Sequence, residues 1–319
     1  MNYFFITIMH NMNLDIKLNK GIELAGGTRI SNGPEVRIEI LDNLLLRSTA
    51  GVHSINEFYD TVYYYKKGNF PYINTHDEMD VQGSMFTFYF LREAQGFLTD
   101  LWQVKDNGIY IRDGFLIAYD NQIEDGRTFK ASLTETFSTS SGTRDLITFS
   151  KNEIQKAVQT FEPFILEELS EENFGGKNPS FNHFYKNKGP QRMHKANYFT
   201  LAARNNIAPP MKILMYCTAL ECLFSTAKTE INHRIAERVA FMLGRSVEEK
   251  KDLFTFIKKA YDLRSTIVHG SSLKGNEEYI AQISIRLDEI LRQFLLGSHD
   301  VFTKSDSEID DFFVDLLFN

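Results

Sequence analysis

From about residue 193 to the end of the chain, every apolar pattern repeats at helical spacing, and no strand signal interrupts it. Helices are expected at about 193–207, 210–225, 230–243, 248–269, 277–297 and 306–318. Consecutive amphipathic helices with no sheet to cover can bury their stripes only against one another, so this half reads as an all-α bundle. The pattern Ile154, Val158, Phe161, Ile165, Leu169 adds a helix ahead of them, with Pro163 placed to kink it. A loop rich in Gly, Asn and Lys (170–192) separates that helix from the rest.

The first 150 residues mix periods. "LDIKL" (14–18) and "VRIEI" (36–40) alternate apolar and polar residues, as half-buried strands do, and "GGTRISNG" (26–33) reads as a turn-rich connection between them. It has neither the lysine of a P-loop nor the glycine spacing of a dinucleotide fingerprint. A helix is expected within 85–104, with Phe90, Leu91, Ala94, Phe97, Leu98 and Leu101 on one face. Strands are expected at 109–119, 128–137 and 145–149, and "STSSGT" (138–143) reads as a hairpin connection. The expected organisation is an α+β domain over 1–150 and a helical domain over 151–319.

With 27 phenylalanines and 43% apolar residues, the 319-residue chain can build a real core. The opening "MNYFFITIMH" has no basic n-region and no small-residue cleavage site, and no later run is long enough to span a bilayer. A soluble, cytoplasmic protein with no membrane partner is expected. Cys217 and Cys222 fall five residues apart on one expected helix and point in different directions, so reduced thiols are expected rather than a bridge. His183, His194 and His299 do not stand at metal-ligand spacing from a carboxylate, and neither a metal nor another cofactor is expected. The net charge of −7 argues against nonspecific nucleic-acid binding. That charge is uneven: residues 151–300 carry a net +3 between a −6 segment before them and a −4 tail after them.

Three charges interrupt three apolar stripes. Leu253, Ile257, Ala260, Ile267 and Val268 share a helix face with Arg264. Leu214, Cys217, Leu220 and Phe224 enclose Glu221, and Ile231, Ile235 and Met242 share their face with Arg238. A buried unpaired charge costs several kcal/mol, so these three call for partners. One reading is a structural ion-pair network, or charges that snorkel to the bundle edge. The other makes Arg238 the structural partner of Glu221 and leaves Arg264 facing a ligand.

His269 follows Arg264 within about 8 Å of helical rise, near the line of Asp262, Ser265 and Thr266. Gly270 is the residue expected to end the helix in a left-handed turn. His269 can therefore be a plain C-terminal cap. An arginine beside a histidine can also handle a phosphodiester: the guanidinium holds the phosphate and the imidazole moves protons.

At these residues the chain resembles a known family. "RSTIVHG" fits the Arg-x4-6-His signature of HEPN domains. "TALECLFS", "HRIAERVAFMLG" and "KKAYDLRSTIVHG" resemble its Apea-like group, most strongly over about 211–270 and not over residues 1–150. The ordered set Glu221, His233, Arg238, Arg264 and His269-Gly270 is more specific than the motif alone.

The resemblance implies a homodimeric helical bundle that brings two Arg-His motifs into one cleft. It implies a metal-independent endoribonuclease of phage defence or toxin–antitoxin systems, in which a 2′-oxygen attacks the adjacent phosphate and leaves a cyclic phosphate. Arg264 would clamp the phosphate and His269 would act as general acid/base, with Glu221, Arg238, Asp262, Ser265 and His233 in support. Many members place Asn, Asp or His directly after the arginine, where this chain has Ser265. The alternative within the family is an inactive dimerisation or RNA- or nucleotide-binding module, or a subunit of a larger defence complex. An antitoxin is a further implied partner, and residues 1–150 would serve as sensor or substrate selector.

"HFYKNKGPQRMHK" (183–195) interleaves Lys186, Lys188, Arg192 and Lys195 with aromatics, a pattern suited to single-stranded RNA or to a solvated loop. His233 has two readings, lining the cleft or lying on the surface. In the tail, Ile309, Phe312, Phe313, Leu316 and Leu317 form a stripe opposite aspartates. It is expected to pack on the bundle, or to act as an acidic flap that competes with RNA.

Overall fold

The structure, a computed structural model, describes residues 1–164, 191–227, 229–272, 275–297 and 299–318. The chain divides into two compact units: Met1–Phe137 with Arg144–Gly175, and Ser138–Thr143 with Gly176–Asn319. An antiparallel-sheet region thus precedes a helical one.

Unit 1 is built on β1 (Asn2–Ile8), β2 (Met12–Leu14), β3 (Ile22–Glu23), β4 (Thr28–Ser31), β5 (Tyr63–Asn69), β6 (Asp113–Tyr119), β7 (Arg127–Ser132) and β8 (Ile147–Phe149). Six strands form one sheet in the order β3-β4-β5-β1-β6-β7, antiparallel throughout, while β2 pairs with β8 in parallel. The apolar opening of the chain is therefore the central strand, with Phe5 opposite Lys66 on one side and Leu116 on the other. Both faces of β1 are buried, which explains its continuous rather than alternating apolarity.

Helices α1 (Pro34–Leu41) and α2 (Leu44–Glu57, broken at Gly51) cover one face, where Val36, Ile40, Leu46 and Ile55 pack with Phe4, Ile6, Tyr63 and Tyr65. The long α3 (His76–Val104) covers the other, and its Phe90 ring lies 5.0 Å from Tyr3 and 5.6 Å from Phe5. A capping box of Thr75 and Glu78 starts α3.

Three expectations for this unit are corrected. "LDIKL" is not a strand: β2 ends at Leu14, and Ile16 is exposed. "VRIEI" is helical: Pro34 sits in the first turn after Gly33, and Val36 and Ile40 are buried four apart while Ile38 is exposed. "GGTRISNG" contains β4 rather than only a turn.

Within α3, Glu93 shares the stripe of Phe86, Phe90, Phe97 and Leu101 and is 2% exposed. Its carboxylate accepts from Lys66 Nζ at 2.7 and 3.0 Å, from the Tyr64 hydroxyl at 2.5 Å and from the Phe164 backbone N–H at 2.8 Å. Lys66 is equally buried and lies over the Phe90 ring. This is the same signal, a charge on an apolar stripe, that marks the C-terminal helices.

Helix α4 (Lys151–Val158) belongs to unit 1, not to the helical half as the 150/151 division expects. The Ser150–Glu153 capping box starts it, Lys105 binds Glu153 at 2.7 Å, and the Phe161 ring stands 5.1 Å from Phe97 on α3. The helix stops at Val158, before Pro163 is reached; Ile165 and Leu169 lie outside the described residues.

Thr160 donates to Asp100 at 2.7 Å, and burial pushes the Asp100 carboxyl up to about 6. A folded-state pKa above the unfolded value near 3.9 means the fold binds this proton more tightly. The stabilisation is complete below about pH 4 and is lost as the pH rises through about 6. Asp100→Asn keeps the acceptor and never ionises. It is expected to raise the thermal midpoint by a few degrees at pH 7.5 and to change it little at pH 4; an equal shift at both would contradict this assignment.

Unit 2 contains α5 (Arg192–Arg204), α6 (Pro209–Phe224), α7 (Ile231–Leu243), α8 (Val247–Val268), α9 (Glu277–Leu296) and α10 (Asp306–Phe318). These agree with the expected helical segments to within a few residues. Leu220, Phe224, Ile235, Ile257, Leu287 and Phe294 share one core. "STSSGT" joins this core rather than a hairpin. Ser138 N–H donates to Arg204 O, Ser284 Oγ donates to Ser140 O, and Gly142 (φ +89°) lies so close to Ile207 O that a Cβ would collide with it. In α10, Ile309 and Phe313 are buried, so the tail packs on the bundle. Among the described residues, no helix is long and apolar enough to cross a membrane.

Candidate active site

Helices α6 and α8 run past each other in the core of unit 2, and their interrupting charges meet. Arg264 Nη2 lies 3.4 Å from Glu221 Oε1, with the two side chains 32% and 24% exposed. Arg264 makes no hydrogen bond among the described residues, and its Nε is buried without a partner. A guanidinium offers five donors, so this one has capacity left for an anion. Beneath the pair, the Tyr261 hydroxyl donates to Cys217 O at 3.0 Å, and the Arg264 guanidinium carbon is 6.0 Å from the Tyr261 ring centre.

Burial raises the Glu221 carboxyl above its ordinary value, against the pull of the Arg264 charge. Burial also raises the Tyr261 hydroxyl and the Cys217 thiol, and it pushes the Cys222 thiol up to about 11. Both cysteines are free, and as poor thiolates they are weak nucleophiles.

The expected pairing is overturned. Arg238 does not hold Glu221. Its Nη1 donates to Phe224 O at 2.6 Å and Thr226 Oγ1 at 3.2 Å, its Nη2 pairs with Asp310, and it lies over the Phe313 ring. With 6% of its side chain exposed it is a structural residue, tying α7 to the end of α6 and to the tail. The acidic α10 passes beside α7 and supplies the carboxylate, and helical period carries no information about that neighbour.

Helix α8 closes as the His-Gly pair suggests. His269 is the C-cap and Gly270 has φ +67°. Gly270 N–H donates to Ile267 O at 3.2 Å and Ser271 N–H to Thr266 O at 3.1 Å, the two bonds of a Schellman ending. Gly270→Ala meets no steric obstacle but forces a Cβ into the left-handed region. A loss of about 1 kcal/mol is expected in chemical denaturation; no loss would mean that the turn relaxes.

His269, Ser265 and Asp262 are all exposed on α8, so the imidazole is open to a ligand. His233 is exposed, with its ring edge-on to Phe254 at 5.2 Å, so it lies on the surface.

Lys186 and Lys188 lie outside the described residues. Arg192 caps the C-terminal end of α6, donating to the carbonyls of Cys222, Leu223 and Ser225, and pairs with Asp306. The acidic tail does engage the basic segment, through a fixed ion pair. Lys195 instead borders a cavity of about 410 Å³ that has Glu221 in its wall, together with Gln191, Thr218 and Cys222. Sequence reasoning missed this cavity. Thr218, Glu221, Cys222 and Ser225 lie at i, i+3, i+4 and i+7 on α6, a polar face that the helical period could have exposed. Among the described residues, no cluster of histidine, cysteine and carboxylate side chains could hold a metal ion.

No protein-family model matches the chain, and no curated protein or solved structure matches it significantly. The functional reading therefore rests on the chain's own residues: a sheet unit followed by a helical one, in which an arginine paired with a carboxylate precedes an exposed histidine by five positions.

Proposed function

We propose that unit 2 is a HEPN-type, metal-independent endoribonuclease that works as a homodimer in a phage-defence or toxin–antitoxin setting. The observation that carries the reading is the state of Arg264. Its guanidinium is half-buried and held by one 3.4 Å contact, it has unfilled donors, and it precedes an exposed His269 by five residues. Arg264 would neutralise the phosphate and its developing charge, and His269 would take the 2′-hydroxyl proton or give one to the leaving 5′-oxygen. With one histidine per chain at this motif, the second proton transfer falls to the His269 of another copy. Unit 1 would then select the substrate or sense a trigger.

The test is incubation of the protein with RNA in EDTA, beside Arg264→Ala and His269→Ala variants, with light scattering to establish the oligomeric state. Cleavage that needs both side chains supports the reading, and equal cleavage by all three proteins ends it.

One observation favours a second reading, a binding module that does not cut. Glu221 already neutralises part of the Arg264 charge, which weakens a phosphate clamp. RNA binding that survives His269→Ala but not Arg264→Ala, with intact RNA recovered, would select it.

A further inference from the structure

The cavity beside Glu221 has a composition that discriminates among ligands. Of its charged groups, Arg192 and Asp306 pair with each other, which leaves one cation, Lys195, and one anion, Glu221. The Lys195 side chain has no ion pair or hydrogen bond among the described residues. With a carboxylate in its wall and one unpaired lysine, the cavity is a poor host for a phosphate. Its polar capacity is mostly for acceptance: the Glu221 carboxylate, whose Oε1 makes only a 3.4 Å contact with Arg264, the buried Gln191 Oε1 that has no donor among the described residues, and Thr218 Oγ1, whose proton is given to Leu214 O at 2.9 Å. A matching ligand brings neighbouring N–H donors to the carboxylate and an acceptor to Lys195.

We infer that this cavity is a guanine pocket, in which Glu221 accepts the N1–H and N2–H groups of the base and Lys195 donates to O6. Among the four RNA bases, only guanine carries two adjacent donors beside a carbonyl. Adenine and cytosine present one amino donor next to a ring acceptor, and uracil presents one N–H between two carbonyls. Each of those would set a lone pair against the carboxylate, and a buried polar group left unpaired is how such sites reject a wrong ligand. The volume of about 410 Å³ is in the range of small-ligand sites.

The pocket also acts on Arg264. A base that uses both carboxylate oxygens competes for the only ion-pair partner Arg264 has among the described residues, at 3.4 Å. Guanine binding thus frees the guanidinium for the neighbouring phosphate, so a guanosine beside the scissile bond would be selected and would also arm the site. This inference deepens the nuclease reading and rests on it for the cleavage step only.

The test separates the two. Full-length His269→Ala protein, which cannot complete the proposed proton transfers, is titrated calorimetrically with 3′-GMP and 3′-AMP. GMP is expected to bind at least about tenfold more tightly, the discrimination of one bidentate base contact. Glu221→Gln should abolish the preference and Lys195→Met should reduce it, with thermal midpoints confirming that both variants fold. Equal affinity for the two nucleotides, no binding of either, or a preference unchanged in Lys195→Met would overturn the pocket. In parallel, the wild-type protein is given RNAs with and without guanosine. GMP preference without any cleavage leaves the pocket standing and removes the nuclease reading. Cleavage that ignores guanosine, with no GMP preference, does the reverse.

Discussion

Lys66→Met is expected to lower the stability of the sheet unit by about 3–5 kcal/mol. The substitution nearly conserves volume, so the loss comes from charge rather than packing. Glu93 would be left 2% exposed without its buried cation, deprived of both hydrogen bonds from Lys66 at 2.7 and 3.0 Å. Glu93→Gln strands the lysine instead and should cost a similar amount.

Lys66→Met combined with Glu93→Leu removes both charges. It should recover part of the loss but not all, because the Tyr64 hydroxyl and the Phe164 N–H then lose the Glu93 carboxylate they bond. The measurement is direct, since the single tryptophan, Trp102, is buried in this unit. Its fluorescence in a denaturant titration follows unit 1 without interference from the helical unit. A Lys66→Met midpoint indistinguishable from wild type would show that the pair contributes nothing to the unit.

The second large effect follows from the nuclease proposal for unit 2, and is on activity without stability. Arg264→Ala and His269→Ala are each expected to reduce RNA cleavage in EDTA by a hundredfold or more, the range for a lost general acid/base or a lost charge stabiliser. Neither should unfold the bundle. Among the described residues the Arg264 side chain makes no hydrogen bond and one partly exposed ion pair, worth about 0–1 kcal/mol, and His269 is an exposed cap.

Arg238 is the contrasting case. It bonds a main-chain carbonyl, a hydroxyl and Asp310 while almost wholly buried, so Arg238→Ala should destabilise unit 2 markedly. Two arginines that look equivalent on their stripes are thus separable in one experiment. Loss of fold at Arg264, or of activity alone at Arg238, would reverse their assignments.

The helices of unit 2 were legible in the residues because a stripe at 3.6 spacing has one physical solution, burial against a neighbour. The Schellman ending at His269-Gly270 was legible for the same kind of local reason: few residues other than glycine tolerate a left-handed backbone. Period also identified the interrupting charges as positions that need partners. It could not name those partners, because a charge on a stripe is answered by whichever element packs over it. For Arg238 that is the acidic tail 72 residues away, and for Arg264 it is Glu221 on α6.

In unit 1 the local signals conflicted. "VRIEI" satisfies alternation and i+4 spacing at once, and only the Pro34 start and the sheet beneath it decide for helix. The central position of β1, the burial of Lys66 against Glu93 and the cavity beside Glu221 arise from chain segments far apart in sequence. Their energies depend on desolvation and on the direction of the neighbouring groups, quantities that exist only once the chain has closed around them.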